Sequence, residues 1–501
     1  MGMESLEPRA MLATLYWDTN GATPGLGGTG TWNTTAANWT TDPTGSSATQ
    51  TWNNAAGNVA VFGGTGGTVT VGTSMQANKV QFDTAGYTLS SGALTLGGTG
   101  EANVADGVSA TIATKLQGSI ELRKTGTGTL VVSGSNTTLT GGARLESGTL
   151  SVASGTAFGS GTVTLAGGMF RASASRTLTN NLVAATGTTT EIAGAFVLNG
   201  NLSGSGTILK TGTDNIYLGG NNSSFSGTFS HRAGNLYFNN PLSGSALASW
   251  DVTGGNLFAL NFGTDGTVQF GSLAGTTGTL TAGVNQAGLK TVEIGALGTS
   301  TSFAGPIANF TTTNAGSTLA LVKKGSGTLT LGGNNTFSRD ISVEAGVLVA
   351  GYGKTTTNAT SGALGNPQVA RAITVNTGST LVFSSDNVFG GPASSPLVQM
   401  VVAGGTVTSG DGAGNVLGPV LLNGGTLDSG TPNPVYGSFQ LKSGLTATGS
   451  GTSYLKARNM FMPAASGGIV LQGGVRLEQS GNFDAVAGLG LAVAVVGLDD
   501  D

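Results

Sequence analysis

The 501-residue chain has no cysteine, one histidine, and charge on only 9% of its residues. Without cysteine, disulfides contribute nothing to stability, so backbone and packing must supply it. A single histidine, His231, excludes any two-histidine metal site. The 20 Lys and Arg are spread thinly at a net charge of −4, and no basic patch of the kind a nucleic-acid binder needs is visible. Charge is far below the roughly 25% of an average soluble protein, which leaves little electrostatic protection against self-association. Helical periodicity is missing over any run of ten or more residues outside the last few. Disorder is also excluded, because 38% of the residues are apolar. Glycine is plentiful, 88 residues, but follows no Gly-X-Y period, so the chain is not collagen-like.

What is present is a repeat of about thirty residues. Residues 122–152 read LRKTGTGTLVVSGSNTTLTGGARLESGTLSV, 208–238 read ILKTGTDNIYLGGNNSSFSGTFSHRAGNLYF, and 321–349 read LVKKGSGTLTLGGNNTFSRDISVEAGVLV. Lys124, Lys210 and Lys323 align, as do Asn136, Asn222 and Asn335. Gly148, Gly234 and Gly346 precede the last strand of each copy. Each copy holds two alternating runs such as Thr129–Val132 and Thr149–Val152, which place Leu and Val on one face and Thr or Ser on the other. The Gly, Ser, Asn and Thr between them suit tight turns. One such unit cannot bury its apolar face alone, but a stack of them can.

This predicts an all-β fold, a single-stranded parallel β-helix or β-solenoid forming an elongated rod with capped or self-pairing ends. At roughly 20–25 residues and about 4.8 Å per coil the rod would be on the order of 100 Å long. The aligned asparagines are expected to ladder at the turns, each amide bonding the next. The stretches between copies keep the same texture and read as diverged coils.

Trp17, Trp32, Trp39 and Trp52 crowd into residues 16–62. They read as a cap on the first coils, with a carbohydrate-stacking platform as the alternative. Near the other end an apolar run, 485–498, includes Leu489, Leu491, Val493 and Val495 and precedes three aspartates. It is too short for a membrane-spanning helix and suits a strand that covers the last coil or is donated to another copy. The expected organisation is an N-terminal targeting or assembly segment (1–15), a Trp-rich cap with the first coils (16–75), the solenoid (76–484), and an apolar strand with an acidic tail (485–501).

Catalytic chemistry is hard to find. His231 reads as part of a solvent-facing turn, and Asp83, Asp106, Asp251, Asp265 and Asp340 stand apart in the sequence. The single Gly410-Asp411-Gly412 turn lacks the tandem repetition a calcium-binding β-roll requires. No enzyme, metal or cofactor is therefore expected, although a carbohydrate-active β-helix enzyme stays open as a minor alternative.

Together, the GTGTLxLxGxN…GxLxV copies and the YWDTNG, GTGTWNTTAANWT and QTWNNAAGNVAVFGG blocks resemble the autotransporter-associated β-strand repeat family. The resemblance implies a right-handed parallel β-helix, displayed on a bacterial surface or released from it. The chain ends in Leu498 and three aspartates with no series of amphipathic strands, so the family's self-export through a barrel is not expected to carry over. Leu6-Glu7-Pro8-Arg9-Ala10-Met11-Leu12 resembles the LEPR-x-L-L element of planctomycete exported proteins, which implies export. The expectation is an extracellular structural protein that assembles head to tail, the Trp-rich start against the apolar end. Its alternative is a monomeric passenger-type adhesin for a polysaccharide or cell surface. The partners expected are a second copy, with extracellular polysaccharide as the alternative, and no nucleic acid and no integral membrane segment.

Overall fold

A computed structural model describes residues 13–501 apart from 284–285, 313–314, 411, 431–437, 457–459, 463–467, 473–475, 481–482, 486–492 and 497–501. The fold is all-β, with two single-turn 3₁₀ helices, Asn54–Ala56 and Pro241–Ser243, among the described residues. The chain divides into two compact units, Met1–Gly220 and Asn221–Asp501, inside the stretch that the sequence presents as one solenoid.

Met1–Gly220 is a stack of parallel strands in register. One sheet runs through Val59–Phe62, Met75–Phe82, Ala93–Val104, Leu122–Thr125, Ala143–Leu145 and Val163–Leu165. A second runs through Thr68–Val71, Tyr87–Ser90, Ser109–Ile112, Thr129–Val132 and Thr149–Val152. Alternation decides which side chains turn inward. Leu130 and Val132 are fully buried, and they lie on Leu150 and Val152 of the next coil. Leu150 lies in turn on Phe170, and Phe170 on Ile192. Each buried residue of this column contributes about 1.5–3 kcal/mol of hydrophobic stabilisation. The backbone bonds meanwhile run from coil to coil.

Asn221–Asp501 repeats the arrangement with longer connections. One sheet contains Gly266–Ala274, Gly288–Ile294, Ala315–Lys323, Ile341–Val343, Arg371–Asn376 and Val398–Ala403, all parallel. An eight-stranded sheet runs from Thr301–Phe303 through Thr328–Leu331, Gly346–Ala350, Ser379–Phe383 and Thr406–Ser409 to Arg476–Ser480. A coil takes 20 residues where Met400 pairs with Val420 and 32 where Ile341 pairs with Ile373. The extra residues are loops, since the strands themselves stay in register.

The repeat glycines sit where the chain must pass close to its neighbour. Gly148 has φ 67° and Gly346 φ 66°, the left-handed region that disfavours a side chain. A Cβ on Gly148 would stand 2.4 Å from the Gly128 carbonyl oxygen, and one on Gly346 would stand 2.5 Å from that of Gly325. Gly234 adopts the same conformation, φ 68°.

The asparagines correct one expectation. They do not bond one another. Asn136 Oδ1 accepts from Leu116 N at 2.7 Å in the preceding coil, and its Nδ2 donates to Ala157 O at 2.6 Å in the following one. Asn335 repeats this with Ile307 N at 2.7 Å and Ala363 O at 2.6 Å, and Asn222 donates to Ser243 O at 2.9 Å. The copies lie 86 and 113 residues apart, several coils, so their amides never become stack neighbours. Asn136 and Asn335 instead tie backbone to backbone.

Candidate functional site

The Trp-rich segment folds back on its own first coil. Thr14–Trp17 pairs in parallel with Val59–Phe62 on one side and antiparallel with Trp39–Thr40 on the other. A short antiparallel strand at a sheet edge interrupts the parallel template that another copy would extend. Trp17, Trp32, Trp39 and Trp52 are 0–1% exposed. Trp39 stands 5.2 Å from Trp17, 5.1 Å from Trp32 and 4.6 Å from Trp52, ring centre to ring centre. Trp17 Nε1 donates to Gly28 O and Trp52 Nε1 to Gln76 O. No ring face is left open for a sugar or for a second copy. Of the opposite end, Leu489, Leu491 and the terminal aspartates lie outside the described residues. Val493 and Val495 belong to strand Val493–Val496, which pairs in parallel with Ile469–Gln472. Residues 1–12, with the LEPR-like element, also lie outside the described residues.

The repeat lysines are the feature that composition and motif reading missed. Lys124 is fully buried, with Ala102 and Leu145 as its strand neighbours. Its ammonium donates to three carbonyls at the turns, those of Thr125 (2.8 Å), Gly126 (2.8 Å) and Ser147 (3.1 Å). Lys323 reproduces the cage with Lys324, Gly325 and Ala345 at 2.6, 2.8 and 3.1 Å. Lys210, also buried, donates to Gly212 O. Parity held the clue: in Leu122-Arg123-Lys124 the lysine falls two residues from an inward leucine.

Burial pushes all three ammonium groups down to about 8 from the usual 10.5. Below pH 8 they are charged in the folded and the unfolded chain alike. Between about pH 8 and the usual lysine range the unfolded chain keeps its protons while the folded chain sheds them, so stability rises with pH. The midpoint of urea unfolding should therefore increase from about pH 7.5 to about pH 9.5, below the range in which unfolded tyrosine ionises. A variant with Lys124, Lys210 and Lys323 all replaced by Met should lose most of that rise, leaving the share of Lys290, whose ammonium burial also pushes down. A wild-type midpoint that is flat or falling over this range would contradict the assignment.

His231 is a second correction. It is fully buried, and its Nε2 lies 3.0 Å from Gly234 O. Counted back from the aligned glycines, His231 occupies the position of Leu145 and Val343, both inward, and not that of the solvent-facing glutamates beside them. A slip of one residue moves a strand position to the opposite face.

The acidic residues work as turn fasteners. Asp265 Oδ1 accepts from Leu289 N at 2.7 Å, Asp340 Oδ1 from Ala372 N at 2.9 Å, and Asp106 from the Thr127 hydroxyl at 2.9 Å. On the outer face of Met1–Gly220, Lys79, Glu101, Arg123 and Arg144 follow one another in register. Lys79 pairs with Glu101 at 3.3 Å, and Arg123 and Arg144 share Glu146 at 2.7 and 2.9 Å. Glu146 is held below the usual carboxylate range, chiefly by its Arg123 hydrogen bonds. Glu101 and Glu146 are interspersed among these cations, so the strip presents no single sign. No group of three metal-ligating side chains occurs among the described residues, and Asp411 is not one of them.

The repeat sequence has counterparts in known proteins. The passenger-associated transport repeat matches residues 122–152 and 321–350. The repeats at 122–152 and 321–350 are of the passenger-associated transport type. The copy at 208–238 lies outside the matched segments, and it carries Asp214-Asn215 where the first passenger repeat has Gly128-Thr129. Over 140 residues the chain is 41% identical to the adhesin BmaC autotransporter of Brucella suis biovar 1 (strain 1330). That match takes in 28% of this chain and 4% of the relative's length. No solved structure matches. Among the described residues no helix is long and apolar enough to cross a membrane.

Proposed function

We propose that this chain is part of a bacterial surface or extracellular adhesin, a non-catalytic passenger-type solenoid whose lateral faces make the contacts. The observation that carries the reading is the 41% identity over 140 residues to a protein named as an adhesin. The fold supports it: the apolar residues are spent on the stack, and what faces outward is Thr, Ser, Asn and balanced charge, which suits polar recognition along a lateral face. Head-to-tail assembly is the weaker reading. The antiparallel strand Trp39–Thr40 covers the sheet edge and the four indoles are consumed internally.

Beads coated with the purified protein should adhere to epithelial cells or to polysaccharide-coated surfaces well above albumin-coated beads, without filaments in negative stain. Adhesion no better than albumin would remove the adhesin reading. Filaments at adhesive concentrations would restore the assembly reading.

A further inference from the structure

In Asn221–Asp501 two successive coils carry long connections: residues 351–370, between Gly346–Ala350 and Arg371–Asn376, and residues 384–397, between Ser379–Phe383 and Val398–Ala403. These loops are built structures. Lys354 N donates to Asn387 O at 2.9 Å, Gly391 N to Thr356 O at 3.1 Å, and Asn358 N to Ser394 Oγ at 2.9 Å. Leu364, Val388 and Phe389 are buried beneath them, with Phe389 at 5.6 Å from Phe383. Asn358 and Asn387 hold left-handed conformations, φ 49° and 56°, two of three such non-glycine residues among those described. Long, ordered loops on a regular scaffold are where binding sites concentrate, and backbone strain of this kind persists only when its surroundings fix it.

Where the loops meet the next coils lies a pocket of about 220 Å³, lined by Thr355, Asp386, Asn387, Pro392, Asn415 and Gln440. This is smaller than the roughly 300–1,000 Å³ of drug-sized ligand pockets, so it suits a single small ring. Its frame is fixed. Asn415 accepts from Val388 N at 2.8 Å and donates to Ser385 O at 3.0 Å, and one carboxylate oxygen of Asp386 accepts from Gly414 N at 2.5 Å. That leaves the other Asp386 oxygen and the Thr355 hydroxyl as polar groups at the mouth, with Pro392 as an apolar wall. Asp386 is the one charged residue of the lining, and it disfavours an anionic occupant.

We infer that this pocket binds a neutral sugar ring, a terminal hexose-class unit of a glycan, with Asp386 accepting hydrogen bonds from its hydroxyls. A carboxylate acceptor makes stronger hydrogen bonds than a neutral one, which favours a hydroxyl-bearing occupant. The assignment rests on the adhesin reading for its biological sense, but it has a separate test. The intact protein should bind glycans ending in neutral hexoses on an array. Asp386→Asn, which keeps an oxygen for Gly414 N–H, should weaken that binding about tenfold or more. Thr355→Val, at an exposed loop position, should weaken it less, and both variants should keep the wild-type unfolding midpoint. Unchanged binding in both variants would overturn the pocket, and so would an array that responds only to acidic glycans or not at all. Bead adhesion that persists in Asp386→Asn together with unchanged array binding would retire the pocket and leave the adhesin reading. Array binding without bead adhesion would do the reverse.

Discussion

Trp39→Ala should destabilise the Trp-rich first coils by about 3–5 kcal/mol, the range for deleting a large aromatic from a packed core. Trp39 touches Trp17, Trp32, Trp52 and Phe62, with ring centres 4.6–5.7 Å away. Such pairs add about 0.5–1.5 kcal/mol each beyond the area they bury. Trp39 also belongs to the antiparallel strand that covers Thr14–Trp17, so a cavity here loosens the edge as well as the core. The indole Nε1 of Trp39 is buried without a hydrogen-bond partner among the described residues. Trp39→Phe, which removes that orphaned donor and keeps most of the ring, should therefore cost less than half as much. Amide hydrogen exchange would locate the loss, and urea unfolding followed by tryptophan fluorescence would size it. In a stack whose coils contact chiefly their neighbours the damage should concentrate in residues 14–82. A cost below about 1 kcal/mol would mean that the rings are not a close-packed cluster.

The solenoid was legible because its determinants are local. Alternation in Thr129–Val132 and Thr149–Val152 fixes which side chains turn inward, and a stack is the one arrangement that buries them all. The crowded indoles were legible as a cluster, although sequence left open whether they faced inward or out. What stayed hidden depended on register or on partners from other coils. His231 went to the wrong face through an offset of one position. The asparagine ties involve Leu116, Ala157, Ile307 and Ala363, none of which belongs to the pattern that marks the asparagines. Lysine is ordinarily a surface residue, so composition hid Lys124, Lys210 and Lys323, whereas strict strand parity places them inside. The pocket at Asp386 was invisible for a related reason: its walls come from four coils, and loops of uneven length carry no period.

Asn335→Leu should rank with Trp39→Ala, at about 2–5 kcal/mol, although it keeps the number and branching of the side-chain heavy atoms. The cost comes from what is left behind: Ile307 N and Ala363 O, both bonded by this one amide, would be buried without partners, at about 1–3 kcal/mol each. Asn335→Asp separates the two bonds. It keeps an acceptor for Ile307 N but sets a carboxylate against Ala363 O at a fully buried position, so it should be at least as damaging near neutral pH and recover as the carboxyl protonates. The same substitution at Asn136, tied to Leu116 N and Ala157 O, should match it, because the two ties agree to within 0.1 Å. Asn33→Leu offers the contrast. Asn33 also bonds backbone, to Thr35 N and Ala36 N, but in an exposed turn where water replaces it, so its loss should stay near 1 kcal/mol. Equal losses at Asn33 and Asn335 in denaturant unfolding would show that the turn amides act by local propensity. A large gap would show that they act by joining one coil to the next.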